Sequence, residues 1–191
     1  MQEEIKIALA QFPCKLANKE HNIKKIEKYI QKAQKQKADI IIFPEMSLTG
    51  YTTRDQTYEL AETIPGPTTQ KIEKIAKKYN LHIVHGMPEH SEKGKTILHN
   101  TAVLTGPEGY IGKYQKMHLP AHSVFEEKRY YRPGYQTPIF ETNVGKIGMI
   151  ICYDIFFPEL TRILRLQGAE LIICISASPA MRKKFFETLT T

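Results

Sequence analysis

Short, continuous apolar runs constrain the fold of this chain more than any other feature of its sequence. The clearest of them cover residues 40–43, 147–151 and 171–175. A strand with one wetted face alternates apolar and polar residues, whereas a strand that is buried on both faces does not. The sequence therefore predicts sheets that other parts of the protein cover on both sides.

Stretches with helical periodicity precede, separate and follow these runs, and two of them are rich in lysine. Apolar residues recur along one face of each stretch, and a capping residue or a proline stands at its start. The chain thus alternates between predicted strands and predicted helices. The helices are expected to follow Asn18, to run from Pro67 to Asn80 and from Pro158 to Gln167, and to begin again near Met181.

Two pairs of strands joined by tight, glycine-containing turns interrupt this alternation. Strands alternating with helices, together with strand pairs, are typical of a mixed α/β protein. We expect two sheets packed face to face beneath helical layers. The paired strands are predicted at 102–104 with 110–114 and at 139–142 with 146–151, and single strands at 5–12 and 81–87.

Composition indicates one soluble globular domain over residues 1–191. Hydrophobic residues make up 41% and charged residues 25% of the chain, and no apolar stretch reaches the ~18 residues of a membrane span. Three cysteines far apart in sequence indicate free thiols in a reducing compartment, so we expect a cytoplasmic protein. The lysines behind the net charge of +7 concentrate on predicted helix faces, so no specific nucleic-acid binding is expected.

Three reactive side chains, those of Glu45, Lys116 and Cys152, each follow an apolar, strand-like segment. Because α/β sheets place ligands beyond their strand ends, these residues suit a base, an oxyanion stabiliser and a nucleophile. Taken one at a time, they also suit a surface carboxylate, a solvated lysine and a small core residue. Cys14 and Cys174 have no comparable acid–base neighbours in sequence and are expected to be structural.

The segment around Cys152 favours the functional interpretation. It leads from a strand into a tight loop, and a helix is predicted to begin at Pro158. Backbone N–H groups at a helix N-terminus favour an anion, so we expect the pKa of the Cys152 thiol to be lowered. The backbone N–H of Tyr153 is expected to face an oxyanion.

Glu45, Lys116 and Cys152 also lie in distinctive motifs. These are Phe43-Pro44-Glu45 with Thr49-Gly50-Tyr51, the stretch from Lys113 to Leu119, and Cys152-Tyr153-Asp154 with Phe157-Pro158-Glu159. Together they resemble the three catalytic blocks of the nitrilase superfamily, and they occur in that family's order. Stretches at 100–102, 107–109 and 132–134 support the resemblance, which covers nearly the whole chain.

The resemblance implies a four-layer αββα sandwich, in which two sheets face each other between helical layers. It implies that Glu45 is the general base, that Lys116 stabilises the tetrahedral intermediate and that Cys152 is the nucleophile. No metal or organic cofactor is implied.

The resemblance also assigns residues around this triad. A second glutamate of the family matches Glu127, with Glu126 as the alternative. Tyr51 and Asp154 lie within the matching motifs and are predicted, with Tyr153, to bind the substrate or the oxyanion.

The activity implied is hydrolysis of a non-peptide C–N bond through a thioester on Cys152. An amide or carbamoyl compound is expected rather than a nitrile, because amide-type substrates are the commoner case in the family. Two alternatives remain open. One is a glutaminase module that supplies ammonia to a partner, and the other is a catalytically inactive fragment that acts only by assembly.

Members of this family continue beyond the segment that resembles residues 176–179. We therefore expect the sandwich to lack C-terminal elements in these 191 residues. Exposed apolar patches usually mark interfaces or aggregation sites. Apolar residues near the end of the sequence, including Phe185, Phe186 and Leu189, thus predict a homo-oligomer or low stability.

Overall fold

The computed structural model describes residues 4–178. Over this range the predicted alternation of strands and helices is present, and it is followed by antiparallel strand pairs. The strands are β1 (Ile7–Leu9), β2 (Ile40–Ile42), β3 (His82–Ser91), β4 (Gly94–Gly106), β5 (Gly109–Gln115), β6 (Ile139–Thr142), β7 (Gly145–Ile151) and β8 (Leu171–Ile175).

These strands form two separate sheets. The first has the order β1-β2-β3-β4-β5, in which β1, β2 and β3 are parallel. β4 is antiparallel to β3 and β5 is antiparallel to β4, so that β5 again runs in the direction of β2. The second sheet has the order β6-β7-β8, with β6 antiparallel and β8 parallel to β7.

Two of the predicted capping residues, Asn18 and Asn80, are found at helix ends. The Asn18 side chain accepts a hydrogen bond from the backbone N–H of His21 at the start of the first helix. Asn80 ends another helix in the left-handed conformation, with φ of 49°. The helices are α1 (Lys19–Lys35), α2 (Thr57–Leu60), α3 (Pro67–Tyr79), α4 (Glu127–Tyr130) and α5 (Pro158–Leu166).

Three apolar clusters hold four layers together. Ile26 and Ile72 belong to the cluster between α1, α3 and the first sheet. Ile147 belongs to the cluster between the two sheets, and Leu164 to the cluster between α5 and the second sheet. Full burial of one such side chain contributes about 1.5–3 kcal/mol. The order of the layers is therefore helix, sheet, sheet, helix, as the sequence predicts.

β3 and β4 extend well beyond the predicted strands, because polar residues continue both of them. Glu89 on β3 accepts hydrogen bonds from Thr101 on β4 and from Gln115 on β5. Polar side chains that satisfy one another across a sheet can be buried in it. Both strands therefore continue beyond the point at which their apolar residues end.

β1 departs from the expectation that both faces of each sheet are covered. Within residues 4–178 the second sheet has three strands opposite five in the first, and Leu9 is 77% exposed. Ala10, the residue after β1, is buried in the apolar cluster against the helices. The helix predicted near Met181, with Phe185, Phe186 and Leu189, lies outside the described residues.

Within residues 4–178, none of the helices combines the length and the apolar character that a bilayer crossing would need.

Gly112 on β5 allows the two sheets to approach each other closely. A Cβ atom at this position would lie 2.1 Å from Cε1 of the Phe140 ring on β6. Carbon atoms in favourable contact are about 3.5–4.0 Å apart. The spacing of the sheets at this point therefore depends on the absence of a side chain.

We expect Gly112→Ala to destabilise the protein by about 1–3 kcal/mol, because the added methyl group overpacks the interface between the sheets. Phe140→Leu in the same chain removes the ring and should recover part of this loss, so the double variant costs less than the sum of the single changes. Urea unfolding of the four proteins measures the coupling. Strictly additive losses would contradict the close contact.

Candidate active site

Glu45, Lys116 and Cys152 meet at one end of the sandwich. Glu45 follows β2 and Lys116 follows β5, which runs in the same direction, so both lie at the same edge of the first sheet. Nζ of Lys116 lies 2.9 Å from Oε1 of Glu45. Cys152 follows β7 of the facing sheet, and its thiol interacts electrostatically with both of the other residues.

The Glu45 carboxylate is 1% exposed, and both of its oxygens accept hydrogen bonds. Oε1 accepts from Nζ of Lys116 and from Nδ2 of Asn100 on β4, the latter at 2.7 Å. Oε2 accepts from the backbone N–H of Ala177 at 2.8 Å, just after β8. The carboxylate is therefore held by groups from both sheets.

Lys116 is fully buried, and its ammonium group contacts two carboxylates. Besides Glu45, Oε1 of Glu127 lies 2.6 Å from Nζ. Burial by itself would lower the pKa of Lys116, but the two carboxylates outweigh it and hold the pKa above its ordinary value. Lys116 is thus a fixed positive charge in a low-dielectric site, which is suited to stabilising a developing oxyanion.

Glu127, and not its neighbour Glu126, is the glutamate that contacts Lys116. Glu126 is exposed, whereas Glu127 is buried at the start of α4. Oε1 of Glu127 accepts a hydrogen bond from the Tyr51 hydroxyl at 2.5 Å. Burial and the charge of Glu45 raise the pKa of Glu127 to about 7. The second carboxyl therefore takes up a proton more readily than an exposed glutamate does.

Burial reverses the effect that the sequence predicts for the Cys152 thiol. Its pKa was expected to be lowered, but burial and the Glu45 carboxylate raise the pKa of Cys152 above its ordinary value. A short 3₁₀ helix, Cys152–Phe156, follows the strand directly, and α5 begins only at Pro158. The helix N-terminus is therefore a minor influence beside desolvation. The resting thiol is protonated, and a base must remove its proton.

The backbone at Cys152 is strained. Its φ is 47°, in the left-handed region that few residues other than glycine adopt. Such strain persists only where the surrounding structure enforces it, and it is concentrated at functional sites.

Asp154 and Tyr153 were both predicted to bind substrate or oxyanion. Asp154 is fully buried and accepts hydrogen bonds from the backbone N–H of Ile151, the Tyr114 hydroxyl and the backbone N–H of His118. These contacts give it a structural task, and its contact with substrate stays a prediction. The contact of the Tyr153 N–H with an oxyanion likewise stays a prediction.

A cavity of about 460 Å³ opens beside Glu45 and Tyr51. Phe12 and Phe125 contribute aromatic walls, and Ser176 contributes a hydroxyl group. Small-molecule sites are concavities of this kind, with mostly apolar walls and a few polar groups. Within residues 4–178, no group of three or more His, Cys, Asp or Glu side chains is arranged to hold a metal ion.

The family model described as carbon–nitrogen hydrolase matches residues 6–186. The match contains Glu45, Lys116 and Cys152. The chain belongs to the carbon–nitrogen hydrolase family. The expected membership of the nitrilase superfamily is thereby confirmed.

The curated relatives of this chain carry names that describe different activities. A nitrilase of Pyrococcus abyssi is 38% identical over 172 residues, which cover 88% of this chain and 63% of the relative. A glutamine-dependent NAD(+) synthetase of Acinetobacter baylyi is 33% identical, with 93% and 32% covered. The omega-amidase NIT2 of Bos taurus is 34% identical, with 81% and 57% covered. The chain thus spans less than two thirds of each relative's length.

Solved structures share the fold of this chain. Nit3 of Saccharomyces cerevisiae, a member of branch 10 of the nitrilase superfamily, superposes with a TM-score of 0.86 at 28% identity. The superposition covers 97% of this chain and 69% of Nit3. The αββα sandwich expected from the sequence is therefore confirmed.

The sequence did not identify Asn100 and Ala177 as partners of Glu45. Asn100 lies in a stretch that supports the family resemblance, so a signal was present, but its role depends on the pairing of β4 with its neighbours. Ala177 contributes only its backbone N–H, and a side-chain motif does not reveal such a donor. Gly86 was also missed: a Cβ there would lie 2.5 Å from the backbone nitrogen of Met46, in the turn that carries Glu45.

The raised pKa of Glu127 predicts a pH-dependent stability. An unperturbed glutamate titrates with a pKa of 4.5, and Glu127 titrates near 7 in the folded protein. Between these pH values the folded state binds more protons, so the contribution of Glu127 to stability is lost as the pH rises. Glutamine does not titrate, so the Glu127→Gln variant avoids this loss. Its free energy of unfolding, relative to that of the unsubstituted protein, should rise by about 1–3 kcal/mol from pH 4.5 to pH 8.

Denaturant unfolding at several pH values measures this effect, and Glu126→Gln is the matched control because Glu126 is exposed. The control should follow the unsubstituted protein. If both variants gave the same pH dependence, the burial of Glu127 would not be the cause.

Asn100→Asp should reduce kcat by roughly 10–100-fold, because a carboxylate replaces the amide that donates to Glu45 and places a second negative charge beside that base. Steady-state kinetics with a cleaved substrate measures the change. Asn143→Asp adds the same charge on an exposed turn and should leave kcat unchanged. Equal kinetics for the two variants would contradict the role of the Asn100 amide.

Proposed function

We propose that this chain cleaves a non-peptide C–N bond, in an amide or a carbamoyl compound, through a thioester on Cys152. The observation that carries the proposal is the buried ammonium group of Lys116, in contact with the carboxylates of Glu45 and Glu127 beside the thiol. A nucleophile, a base and a fixed positive charge are the groups that acyl transfer requires.

In the first half of the reaction, Glu45 takes the thiol proton while Sγ of Cys152 bonds to the carbonyl carbon. Proton transfer and attack are coupled, because burial raises the pKa of the thiol and a free thiolate is scarce. The electron pair of the C=O bond moves to oxygen, where Lys116 and the N–H of Tyr153 stabilise the negative charge. Glu45 then protonates the nitrogen, the C–N bond breaks, and ammonia or an amine leaves.

In the second half, water attacks the thioester. Glu45 removes a proton from the water molecule as its oxygen bonds to the carbonyl carbon, and Lys116 again stabilises the oxyanion. The C–S bond breaks, the sulfur regains its proton from Glu45, and the acid leaves. Glu127 supports both halves by holding Lys116 in place.

An amide or carbamoyl substrate is favoured over a nitrile. An amide gives the thioester after one tetrahedral intermediate, whereas a nitrile first gives a thioimidate that must add water and lose ammonia. Similarity to an omega-amidase supports an amide, while similarity to a nitrilase leaves the nitrile as a comparison substrate. Hydrolysis of an amide therefore needs fewer steps from one base and one oxyanion stabiliser than hydrolysis of a nitrile does.

A glutaminase that supplies ammonia to a partner is the second candidate. The observation in its favour is the 33% identity to a glutamine-dependent NAD(+) synthetase, of which this chain covers 32%. Glutamine hydrolysis uses the same steps, with ammonia as the leaving group. Glutamine therefore belongs among the substrates to be tested.

The proposal is tested with a panel of ω-amides, glutamine, N-carbamoyl amines and nitriles, scored by ammonia or amine release. Mass spectrometry of the quenched protein should show an acyl adduct on Cys152 for the substrates that turn over. Cys152→Ala should abolish turnover, and Glu45→Gln and Lys116→Ala should each cost roughly 10²–10⁴-fold in kcat. Combining them should add little loss, since the three residues act as a unit.

Cys14→Ala is the matched control, because Cys14 is also a free thiol and lines the cavity beside Glu45, but the charge that acts on it is that of Lys25 and not that of Lys116. It should keep full activity. Normal turnover by Cys152→Ala would refute the thioester. A kcat/KM for nitriles above that for every amide would overturn the amide preference and leave the triad intact.

A further inference from the structure

The Asp154 carboxylate closes the strained turn that carries Cys152. Asp154 lies two residues after Cys152 and is fully buried. Its Oδ2 atom accepts a hydrogen bond from the backbone N–H of Ile151, the residue before Cys152, at 3.0 Å. A positive φ at a residue other than glycine is maintained only by surrounding contacts. The Ile151–Asp154 bond is such a contact across Cys152.

The same carboxylate holds the segment that carries Lys116, on both sides of it. The Tyr114 hydroxyl donates to Oδ2 at 2.8 Å, and the backbone N–H of His118 donates to Oδ1 at 2.8 Å. Nδ1 of His118 lies 3.0 Å from Oδ1 as well. Tyr114 precedes Lys116 by two residues, and His118 follows it by two. One side chain therefore links the turn of the nucleophile to the segment of the ammonium group.

This link crosses from one sheet to the other. Tyr114 lies on β5 of the first sheet, and Asp154 follows β7 of the second. Much of the contact between the sheets is aliphatic, and apolar burial has no preferred direction. Hydrogen bonds to a buried carboxylate do have preferred distances and angles. They are suited to fixing the separation of groups that belong to different sheets.

We propose that Asp154 is a positioning residue, which sets the separation between the Cys152 thiol and the Lys116 ammonium group. Both of its oxygens accept hydrogen bonds from protein donors, so it acts through these two residues and not on the substrate. The inference rests on the proposed roles of Cys152 and Lys116. The role proposed for Asp154 differs from the substrate contact that its motif predicts.

Asp154→Asn tests this directly, because the amide keeps the size of the side chain but turns an NH₂ group toward donors. A displacement of ~1 Å costs ~10²-fold in rate, so kcat should fall by about that factor while KM changes little. Tyr114→Phe removes a single bond and should lower kcat by roughly tenfold. The Tyr114 variant keeps the test available if Asp154→Asn does not fold.

A second measurement does not depend on turnover. Methyl methanethiosulfonate contains no C–N bond to cleave; the sulfur of Cys152 attacks its CH₃S group, methanesulfinate leaves, and mass spectrometry gives the rate at which the mixed disulfide forms. This rate should fall by roughly tenfold in Asp154→Asn, while the rate at Cys14 in the same sample stays unchanged. If the unsubstituted protein turned over none of the substrates, the proposed function would fail, yet the adduct rates would still test the positioning role.

Matched controls are Tyr110→Phe, on the same strand as Tyr114, and Asp39→Asn, whose carboxylate joins β1 to β2 by accepting from the backbone N–H of Lys6. Neither should change kcat or the adduct rate at Cys152.

In a Lys116→Ala background, Tyr114→Phe should have little further effect on residual activity.

The proposal would be overturned if Asp154→Asn and Tyr114→Phe lowered the melting temperature but left kcat and the adduct rate of the folded protein unchanged. An equal loss of activity with and without Lys116 would also overturn it, because the effect would then not pass through the ammonium group.

Discussion

The buried ammonium group of Lys116 is the interaction on which the rest of the site depends. A charge removed from water is tolerated only when opposite charges and hydrogen bonds compensate it. Glu45 and Glu127 provide this compensation from two different elements of the fold. Both carboxylates are buried as well, so each depends on the ammonium group for a counter-charge. The three residues therefore form one electrostatic unit.

This unit holds two negative charges and one positive charge when both carboxylates are ionised. The excess negative charge is reduced when Glu127 takes up a proton, since burial and the charge of Glu45 raise the pKa of Glu127 to about 7. Glu45 also accepts hydrogen bonds from Asn100 and Ala177, which stabilise its ionised form. The two carboxyl groups thus have different environments, and the one beside the amide donors is the better placed to act as a base.

The same surroundings explain why Cys152 is not a thiolate at rest. A thiol activated by a helix N-terminus has a lowered pKa, but burial and the nearby Glu45 raise the pKa of Cys152. Activation must then occur during attack, when Glu45 accepts the proton and Lys116 stabilises the resulting negative charge. The chemistry depends on the separation of groups that belong to two facing sheets, and Asp154 connects these sheets next to Cys152 and Lys116.

Much of the fold could be predicted because its signals are local. The apolar runs predicted β2, β7 and β8, since a strand that is buried on both faces does not alternate apolar and polar residues. Asn18 and Asn80 marked helix ends because capping is an interaction with the nearest backbone groups. The polar continuations of β3 and β4 were not predicted, because the hydrogen-bond partners of their side chains lie on neighbouring strands and not nearby in sequence.

For the site, the sequence by itself determined which chemical groups stand at the ends of strands, since motif and strand end coincide at Glu45, Lys116 and Cys152. Tertiary structure alone decided how those groups behave. It placed Glu127 against Lys116 and left the adjacent Glu126 in solvent, and it reversed the expected shift of the pKa of Cys152. The physical reason is that burial and the approach of two sheets arise from contacts between residues far apart in the chain, which no local pattern records.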